Sequence, residues 1–252
     1  MIRPLSVQLY TVRRALAEDL PGTLARLAAI GFDAVEGFGL AEFGDALAEG
    51  LPVAGLPMPS AHASLIGANT DAVFAAARRL GVGTVIEPWV DPARWTTRKD
   101  VEAVAADLNG IAPRAADAGL TIGYHNHWFE LENRIDDTSA LEVLAGALDP
   151  AVILEVDTYW AEIGGEAAPA LLRRLGERVR FIHVKDGPRE KDIQTQTAVG
   201  SGALPIAEIL AAAPQALRVV ELDEFAGGDI FDALSESHLF LVGPAGLAEF
   251  EA

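Results

Sequence analysis

The segment Leu120-Thr121-Ile122-Gly123-Tyr124-His125-Asn126-His127-Trp128-Phe129-Glu130 joins a short apolar run to a cluster of ligand-type side chains. The run Leu120–Gly123 is typical of a β-strand, and two imidazoles, an amide and a carboxylate follow it. Three other strand-like runs also end in ionisable residues, at Asp157, His183 and Glu221. Because the C-terminal ends of parallel barrel strands meet at one mouth, we expect these side chains to share one site.

One pattern recurs along the chain: an Ala- and Leu-rich amphipathic helix, then a glycine, then a short apolar run that ends in a polar residue. Leu24–Ile30 is such a helix, and it is followed by Gly31, by the run Phe32–Val35 and by Glu36. A glycine after the last helical turn supplies a left-handed C-terminal cap. Helix and strand periods that alternate in this way predict βαβ units and a parallel sheet.

Eight strands are predicted, with helices between them and a last helix over Ile230–Leu241. The predicted strands are Leu5–Leu9, Ala34–Glu36, Pro59–His62, Thr84–Glu87, Thr121–His125, Ile153–Asp157, Phe181–His183 and Val219–Leu222. No stretch resembles a linker, so residues 1–252 are predicted to form one α/β domain, a single (β/α)8 TIM barrel with parallel strands. A doubly wound sheet is the alternative, but it favours a glycine-rich loop where this chain has Tyr10–Arg14.

Composition and charge limit the classes of function. The absence of cysteine excludes disulfides, thiolate catalysis and cysteine-bound zinc. A net charge of −18 repels phosphate backbones, so we expect no nucleic-acid partner. The chain shows neither a signal-peptide core nor an uninterrupted apolar span of roughly 18 residues, so we expect a cytoplasmic protein without a membrane partner. The oligomeric state stays open, and a homo-oligomer is compatible with the sequence.

A metal site is predicted from Asp157, His183 and Glu221, which end apolar runs on consecutive β/α units. A buried strand tolerates an ionisable residue poorly unless something pairs with it. Carboxylate and imidazole ligands suit Mn, Mg, Zn or Co better than a thiolate-bound metal. We therefore expect one divalent ion per chain, with His125 or His127 completing the ligand set.

The chain resembles the xylose isomerase-like TIM barrel superfamily, the sugar phosphate isomerase/epimerase group. The resemblance covers nearly the whole chain and rests on five segments taken together: Ser6–Arg13, Tyr124–Glu130, Glu155–Trp160, His183–Asp186 and Glu221–Asp223. It implies a small-molecule sugar or keto-sugar substrate. It also implies one divalent metal held by Glu, Asp, His and Glu on the last four strands. The last three of these ligands correspond to Asp157, His183 and Glu221.

The fifth strand departs from that pattern. Ketose epimerases of the group have a glutamate there that also works as an acid and base, whereas this chain has His125. Histidine can bind the same metals, so His125 is predicted to be the fourth ligand. A paired-glutamate proton shuttle is excluded, and we expect His127 first and Glu130 second to move the proton.

Strand geometry gives these side chains a direction. His125 and His127 are two residues apart, so an extended strand would point both into the mouth and turn Asn126 outward. A neutral His127 near the metal is expected to titrate close to neutrality, as a base should. Lys185 should share the direction of His183 and, with Glu221, act on the substrate by neutralising an oxyanion or phosphate. Its alternative partners are the carboxylates of Asp157 and Asp186.

Six further residues are predicted to line the mouth and contact the substrate. They are Glu36, His62, Glu87, Trp89, Trp128 and Trp160. Aromatic faces suit the apolar face of a sugar ring, although packing on the barrel rim explains each tryptophan equally well. Gly200-Ser201-Gly202 follows the seventh strand, where barrels often hold phosphate. Basic residues are few there, so the segment is interpreted as a turn, which favours an uncharged substrate.

The chemistry that the resemblance implies is metal-assisted proton transfer beside a carbonyl. The first hypothesis is an isomerase or epimerase that acts on a monosaccharide or keto-sugar. The second is a lyase of the inosose dehydratase or 3-keto-glycoside kind, which the histidine-rich fifth strand favours. Two alternatives come from other classes: an apurinic-site endonuclease, which should have a basic face, and a non-catalytic sugar-binding barrel, which would bind no metal.

Overall fold

Eight parallel strands close into a barrel in the computed structural model, which describes residues 4–243. The strands are β1 (Leu5–Gln8), β2 (Ala34–Gly37), β3 (Ser60–His62), β4 (Thr84–Glu87), β5 (Thr121–His125), β6 (Val152–Asp157), β7 (Val179–Val184) and β8 (Leu217–Val220). Each strand pairs with the next along the chain, and β1 pairs with β8 to close the ring. The predicted (β/α)8 barrel is confirmed, and each of the eight barrel strands overlaps a predicted one; a short antiparallel pair, Arg134–Ile135 and Thr138–Ser139, lies outside the barrel.

The helices alternate with the strands and surround them. They are α1 (Arg13–Glu18), α2 (Leu20–Ile30), α3 (Leu40–Ala54), α4 (Thr70–Arg79), α5 (Arg98–Asp117), α6 (Phe129–Glu132), α7 (Ala140–Ala147), α8 (Thr158–Ile163), α9 (Ala168–Leu175), α10 (Ile206–Ala212) and α11 (Ile230–Val242). Gly31 ends α2 in the left-handed region, with φ at 113°, and its N–H reaches the carbonyls of Leu27 and Ala28. Within residues 4–243, no helix is both long enough and apolar enough to cross a membrane.

The inside of the barrel is apolar toward the N-terminal ends of the strands and carries ionisable side chains toward their C-terminal ends. Ile86, Phe181 and Val219 form a small apolar cluster that is separate from the main core between sheet and helices. Side chains two residues further along a strand point the same way. Phe181 is therefore followed on the inside of β7 by His183, and Val219 is followed by Glu221, one residue past the end of β8. This apolar layer thus lies directly beneath a layer of charged side chains at the C-terminal ends of the strands.

Candidate active site

A cavity of about 700 Å³ opens at the C-terminal ends of the strands, where barrel active sites lie. Its polar base includes His62, His125, His127, Glu221 and Asp223. Its other side is lined largely by apolar side chains from the loops after β1, β2 and β4 and from α4. The volume lies in the range of small-molecule binding sites.

Four side chains form what we call the outer ligand set: His125 and Glu221, which line the cavity base, and Asp157 and His183, which are buried directly beside them. His183 Nδ1 lies 2.8 Å from Glu221 Oε2, and His125 Nε2 lies 3.8 Å from Asp157 Oδ2. One ligand atom each from Asp157, His183 and Glu221 fall within 4.8 Å of one another. Atoms at these separations can bind one divalent ion at the usual distance of roughly 2 Å. These are the four residues predicted as metal ligands, and ligation itself stays a prediction.

Two buried carboxylates, which we call the inner pair, lie beneath the outer set. Glu155 Oε2 lies 2.6 Å from His62 Nε2, 3.1 Å from His125 Nδ1 and 3.2 Å from His183 Nε2. Glu36 Oε1 lies 2.7 Å from His183 Nε2. Ionised carboxylates only accept hydrogen bonds, so we assign protons to His125 Nδ1 and His183 Nε2. The opposite nitrogens, His125 Nε2 and His183 Nδ1, then face the outer set, the arrangement that second-shell carboxylates impose on metal-binding histidines.

Charge at the base favours a cation. Burial opposes protonation of His183, but the charges of Glu155 and Glu221 outweigh it and raise its pKa well above the usual value. Burial and the charge on His183 lower the pKa of His125 well below its usual value, so His125 is neutral. Glu155 Oε1 is buried and accepts no hydrogen bond, and the buried Asp157 Oδ2 has the Lys185 ammonium 2.9 Å away. The raised pKa of His183 among these buried carboxylates shows that the position favours positive charge, which fits a divalent ion.

Lys185 lies beside the same carboxylates, and its side chain is 1% exposed. Its Nζ lies 2.6 Å from Glu221 Oε2, 2.8 Å from Asp223 Oδ2 and 2.9 Å from Asp157 Oδ2. Burial lowers its pKa, but these three carboxylates raise it well above the usual value, so Lys185 is an ammonium. It shares the direction of His183 as predicted, and of its two alternative partners it contacts Asp157.

His127 faces the cavity beside His125, at 5.3 Å between ring centroids. Its ring stacks on Phe129, 5.5 Å away at an interplanar angle of 4°, and its buried Nδ1 has no hydrogen-bond partner. Burial and the nearby Lys185 charge lower its pKa to about 4, so the expected titration near neutrality is wrong. His127 is therefore a neutral imidazole with a free ring nitrogen at neutral pH.

The neighbours of His127 do not face the cavity. Glu130 is fully buried. Its Oε1 accepts a hydrogen bond from the Tyr124 hydroxyl at 2.5 Å, and its Oε2 accepts one from the backbone N–H of His127 at 2.9 Å. Burial raises the pKa of Glu130 to about 8. Asn126, expected to face outward, instead bonds the backbone N–H and carbonyl of Asp157, because β5 ends at His125. Both side chains hold the segment in place, and proton transfer by Glu130 stays a prediction.

Of the six predicted substrate-contacting residues, His62 and Trp89 line the cavity. Glu36 belongs to the inner pair, and Glu87 accepts from the backbone N–H groups of Leu65 and Ile66 at 2.7 and 2.9 Å.

The two remaining tryptophans pack beside the cavity without lining it. Lys191 Nζ lies 3.5 Å from the ring centroid of Trp128. Trp160 is buried, and its backbone N–H donates to Asp157 Oδ1. For these two side chains, packing near the rim explains what the structure describes.

Glu155 and Asp223 are site residues that the sequence reasoning missed. Each stands two residues from a predicted ligand, Glu155 before Asp157 and Asp223 after Glu221. That spacing puts both members of a pair on the same face of an extended strand, so it could have predicted Glu155 and Asp223 as site residues. Glu155 escaped notice because it lies inside an otherwise apolar run.

The backbone of the loop after β7 binds the carboxylate of one of its own residues, Asp186. The carboxylate of Asp186 accepts from the backbone N–H groups of Gly187, Gly200, Gly202 and Leu204, at 2.8 to 3.1 Å. Backbone N–H groups gathered in this way would otherwise suit a phosphate. The predicted turn at Gly200–Gly202 therefore provides no free phosphate site, which supports an uncharged substrate.

A family model described as "Xylose isomerase-like TIM barrel" matches residues 24–216. The chain belongs to this xylose isomerase-like family. Among solved family structures, a sugar phosphate isomerase/epimerase from Parabacteroides distasonis ATCC 8503 superposes with a TM-score of 0.81 at 23% identity, over 96% of this chain and 94% of that one. The IOLI protein, whose structure has a bound zinc atom, superposes with a TM-score of 0.69 at 14% identity, over 98% and 97%.

A curated relative of this chain is an inosose dehydratase from Lacticaseibacillus casei. It is 30% identical to this chain over 91 residues, which are 36% of this chain and 30% of the relative. The match spans less than a third of that enzyme, so its activity is not transferred to this chain.

Proposed function

We propose that this protein is a divalent-metal-dependent sugar isomerase or epimerase that removes a proton from the carbon beside the carbonyl of a monosaccharide or keto-sugar. One observation carries the proposal: the neutral His127 imidazole lines the same cavity base as His125 and Glu221 of the outer ligand set. A base and a metal site within reach of one bound substrate are the two requirements of this chemistry.

His125, Asp157, His183 and Glu221 would hold the ion, and Mn, Mg, Zn or Co suits this mixture of imidazole and carboxylate ligands. The ion would supply a positive charge that makes the neighbouring carbon-bound proton more acidic. The inner pair orients two of the ligands through hydrogen bonds to His125 Nδ1 and His183 Nε2.

His127 would take the carbon-bound proton on the ring nitrogen that faces the cavity, since Nδ1 is buried, and return it. Its low pKa keeps the ring neutral and able to accept a proton across the physiological pH range. Phe129 stacks on the ring and Glu130 binds its backbone N–H, so the imidazole is held before the substrate arrives. The Lys185 ammonium does not line the cavity; it would add positive charge beneath the site, where it pairs with Glu221, Asp223 and Asp157. Return of the proton to another carbon gives isomerisation, and return to the other face of the same carbon requires a second proton donor.

A lyase or dehydratase of the inosose dehydratase or 3-keto-glycoside kind is the second candidate. It is favoured by His125, which replaces the glutamate of the ketose epimerases and leaves His127 as the free cavity-facing base. Elimination shares the first proton abstraction and then loses a β-substituent. The segment of inosose dehydratase that resembles this chain supports the same candidate.

The test is a substrate screen in D₂O with added Mn²⁺. Ketoses, inososes and 3-keto-glycosides would be incubated with the purified protein, and NMR would follow both deuterium incorporation and product formation. The proposal expects about one divalent ion per chain and deuterium at the carbon beside the carbonyl, in an isomer or epimer. An unsaturated or cleaved product would establish the lyase. A metal-free protein that exchanges the proton at full rate would overturn both candidates.

A further inference from the structure

The wall of the cavity opposite the ligands is apolar. We define this apolar wall by Tyr10, Phe38, Leu40, Val73, Ala76 and Trp89, which all line the cavity. No lysine or arginine lines the cavity among residues 4–243, and its carboxylates, Glu221 and Asp223, lie at the polar base. The cavity therefore has a charged end and an uncharged end.

Two aromatic members of this wall, Tyr10 and Trp89, are exposed, and Tyr10 is partly held in place. Tyr10 is 39% exposed and Trp89 is 51% exposed, and both belong to the few large hydrophobic side chains that residues 4–243 leave open to solvent. The Tyr10 ring meets the edge of Phe38 at 5.4 Å, and the Arg13 guanidinium covers it at 4.1 Å. Exposed aromatic side chains that continue a substrate cavity indicate a binding surface.

The chemistry of the wall selects one kind of occupant. A second sugar ring would bring several hydroxyl groups, and each needs a partner when it leaves water. Ser64 and the Tyr10 hydroxyl are the main polar side-chain groups on this side of the cavity. A phosphate would find no basic side chain among the lining residues within 4–243, and Arg13, which covers the Tyr10 ring, pairs with Glu224. An uncharged aryl or alkyl group would lose nothing by desolvation and would bury area against Trp89 and Phe38.

We infer that the substrate is a sugar or keto-sugar that carries an apolar aryl or alkyl substituent, and that the apolar wall binds this substituent while the polar base binds the sugar. This inference rests on the proposed function, which supplies the sugar at the base. It adds the class of substituent and the residues that recognise it. A cavity of about 700 Å³ has room for both parts, whereas a free monosaccharide would fill only part of it.

Direct binding measurements test the inference without turnover. Phenyl β-glucoside, glucose, cellobiose and phenol would be titrated into the full chain with Mn²⁺, by calorimetry and by competition NMR. Phenyl glucoside is expected to bind at least about tenfold more tightly than glucose or cellobiose, since burial of a phenyl ring exceeds the free energy of one tenfold step. Equal affinity for phenyl glucoside and cellobiose would overturn the inference.

Two variants locate the phenyl group, and neither touches the ligand set. Trp89→Ala removes an exposed ring, and Val73→Asp puts a charge on the wall; each should weaken phenyl glucoside binding about tenfold, and Val73→Asp should leave glucose binding unchanged. The matched control is Val53→Asp, because Val53 is 89% exposed on α3 outside the cavity. Parent affinity for phenyl glucoside in both wall variants would also overturn the inference.

The two proposals fail in different ways. If phenol binds as tightly as phenyl glucoside and both depend on Trp89, the apolar subsite stands and sugar recognition at the base fails. If glucose and phenyl glucoside bind equally and solvent deuterium enters a sugar substrate, the proposed function stands and the apolar subsite fails.

Discussion

The two halves of the barrel mouth contribute different chemistry to one cavity. The β5–β8 half carries His125, Asp157, His183 and Glu221, with Lys185 among their carboxylates. The β1–β4 half carries the apolar wall above two buried polar side chains, Glu36 and Ser60. We infer that the first half performs the reaction and the second half recognises the substrate and supports the ligands. The comparison teaches that a barrel can change its substrate in one half without altering the reacting groups in the other.

The largest effect should come from Asp157 in the β5–β8 half. Asp157→Asn removes a ligand charge, so metal affinity should fall by more than the roughly 10–100-fold that second-shell substitutions cost, and activity should disappear. Asp157 Oδ1 accepts a hydrogen bond from the backbone N–H of Trp160, which caps the start of α8. Asparagine keeps an oxygen for this bond, so the start of α8 should persist. Calorimetric metal titration and a melting curve measure the two effects. Asp45→Asn, at an exposed site, is the control; an unchanged metal affinity for Asp157→Asn would remove Asp157 from the ligand set.

His127→Gln should give the next largest effect, on rate and not on metal binding. Loss of a general base typically costs about 10²–10⁴-fold, and the variant should lose that much of the parent's carbon–proton exchange rate. The base must be unprotonated, so the parent rate should stay flat above about pH 5 and fall as the pH drops through the His127 pKa of about 4.

Exchange of the substrate proton in D₂O, followed by NMR, measures the His127→Gln effect. His238→Gln on α11 is the matched control, because that ring bonds the Gly31 carbonyl far from the cavity. Exchange at the parent rate in His127→Gln, with normal metal binding, would show that another residue is the base, and Glu130→Gln would then be tested in the same way.

Glu155→Gln should have an intermediate effect through the histidines. Its carboxylate contacts three imidazoles, so the variant should weaken metal binding by roughly 10–100-fold. Nitrogen NMR of the histidine rings gives a second readout: the parent should carry the His125 proton on Nδ1, and the variant should lose that preference. A variant with unchanged ring protonation and full metal affinity would leave Glu155 with a packing role only.

The smallest effect should come from Ser60→Ala in the β1–β4 half. Ser60 Oγ donates to Glu36, which also accepts from Gln8 Nε2 and contacts His183 and His62, so three of its partners remain. Stability should fall by about 1 kcal/mol, and metal affinity should change by less than the Glu155→Gln effect. Denaturant unfolding and metal titration measure both. A loss of metal affinity as large as that of Glu155→Gln would mean that the two halves do not divide the work as inferred.

Much of the fold and part of the site could be predicted because they depend on local patterns. Alternating helix and strand periods with glycine caps predicted the eight barrel strands, and each of these lies within two residues of its predicted bounds. Asp157, His183 and Glu221 were predicted to meet because parallel barrel strands share one mouth. The shared direction of His183 and Lys185 followed from the two-residue period of a strand.

The rest depended on distances between residues far apart in the chain. Glu87 looked like a mouth residue, but its carboxylate binds the backbone after β3. The expected pKa of His127 was wrong because burial and Lys185, 58 positions along the chain, set its value. Asn126 turned inward because the backbone of Asp157 offered it two hydrogen bonds.

The sequence by itself determined the barrel, the strand ends where ligands gather and the family to which the chain belongs, because periodicity and motif spacing are carried by neighbouring residues. Only the tertiary structure decided that Glu155 and Glu36 orient the histidines and that an apolar wall faces the ligand set. It also decided that the Asp186 carboxylate binds the backbone N–H groups of the loop after β7. Hydrogen bonds, desolvation and cavity shape act between side chains that only the closed barrel brings together, and no local pattern in the chain encodes those distances.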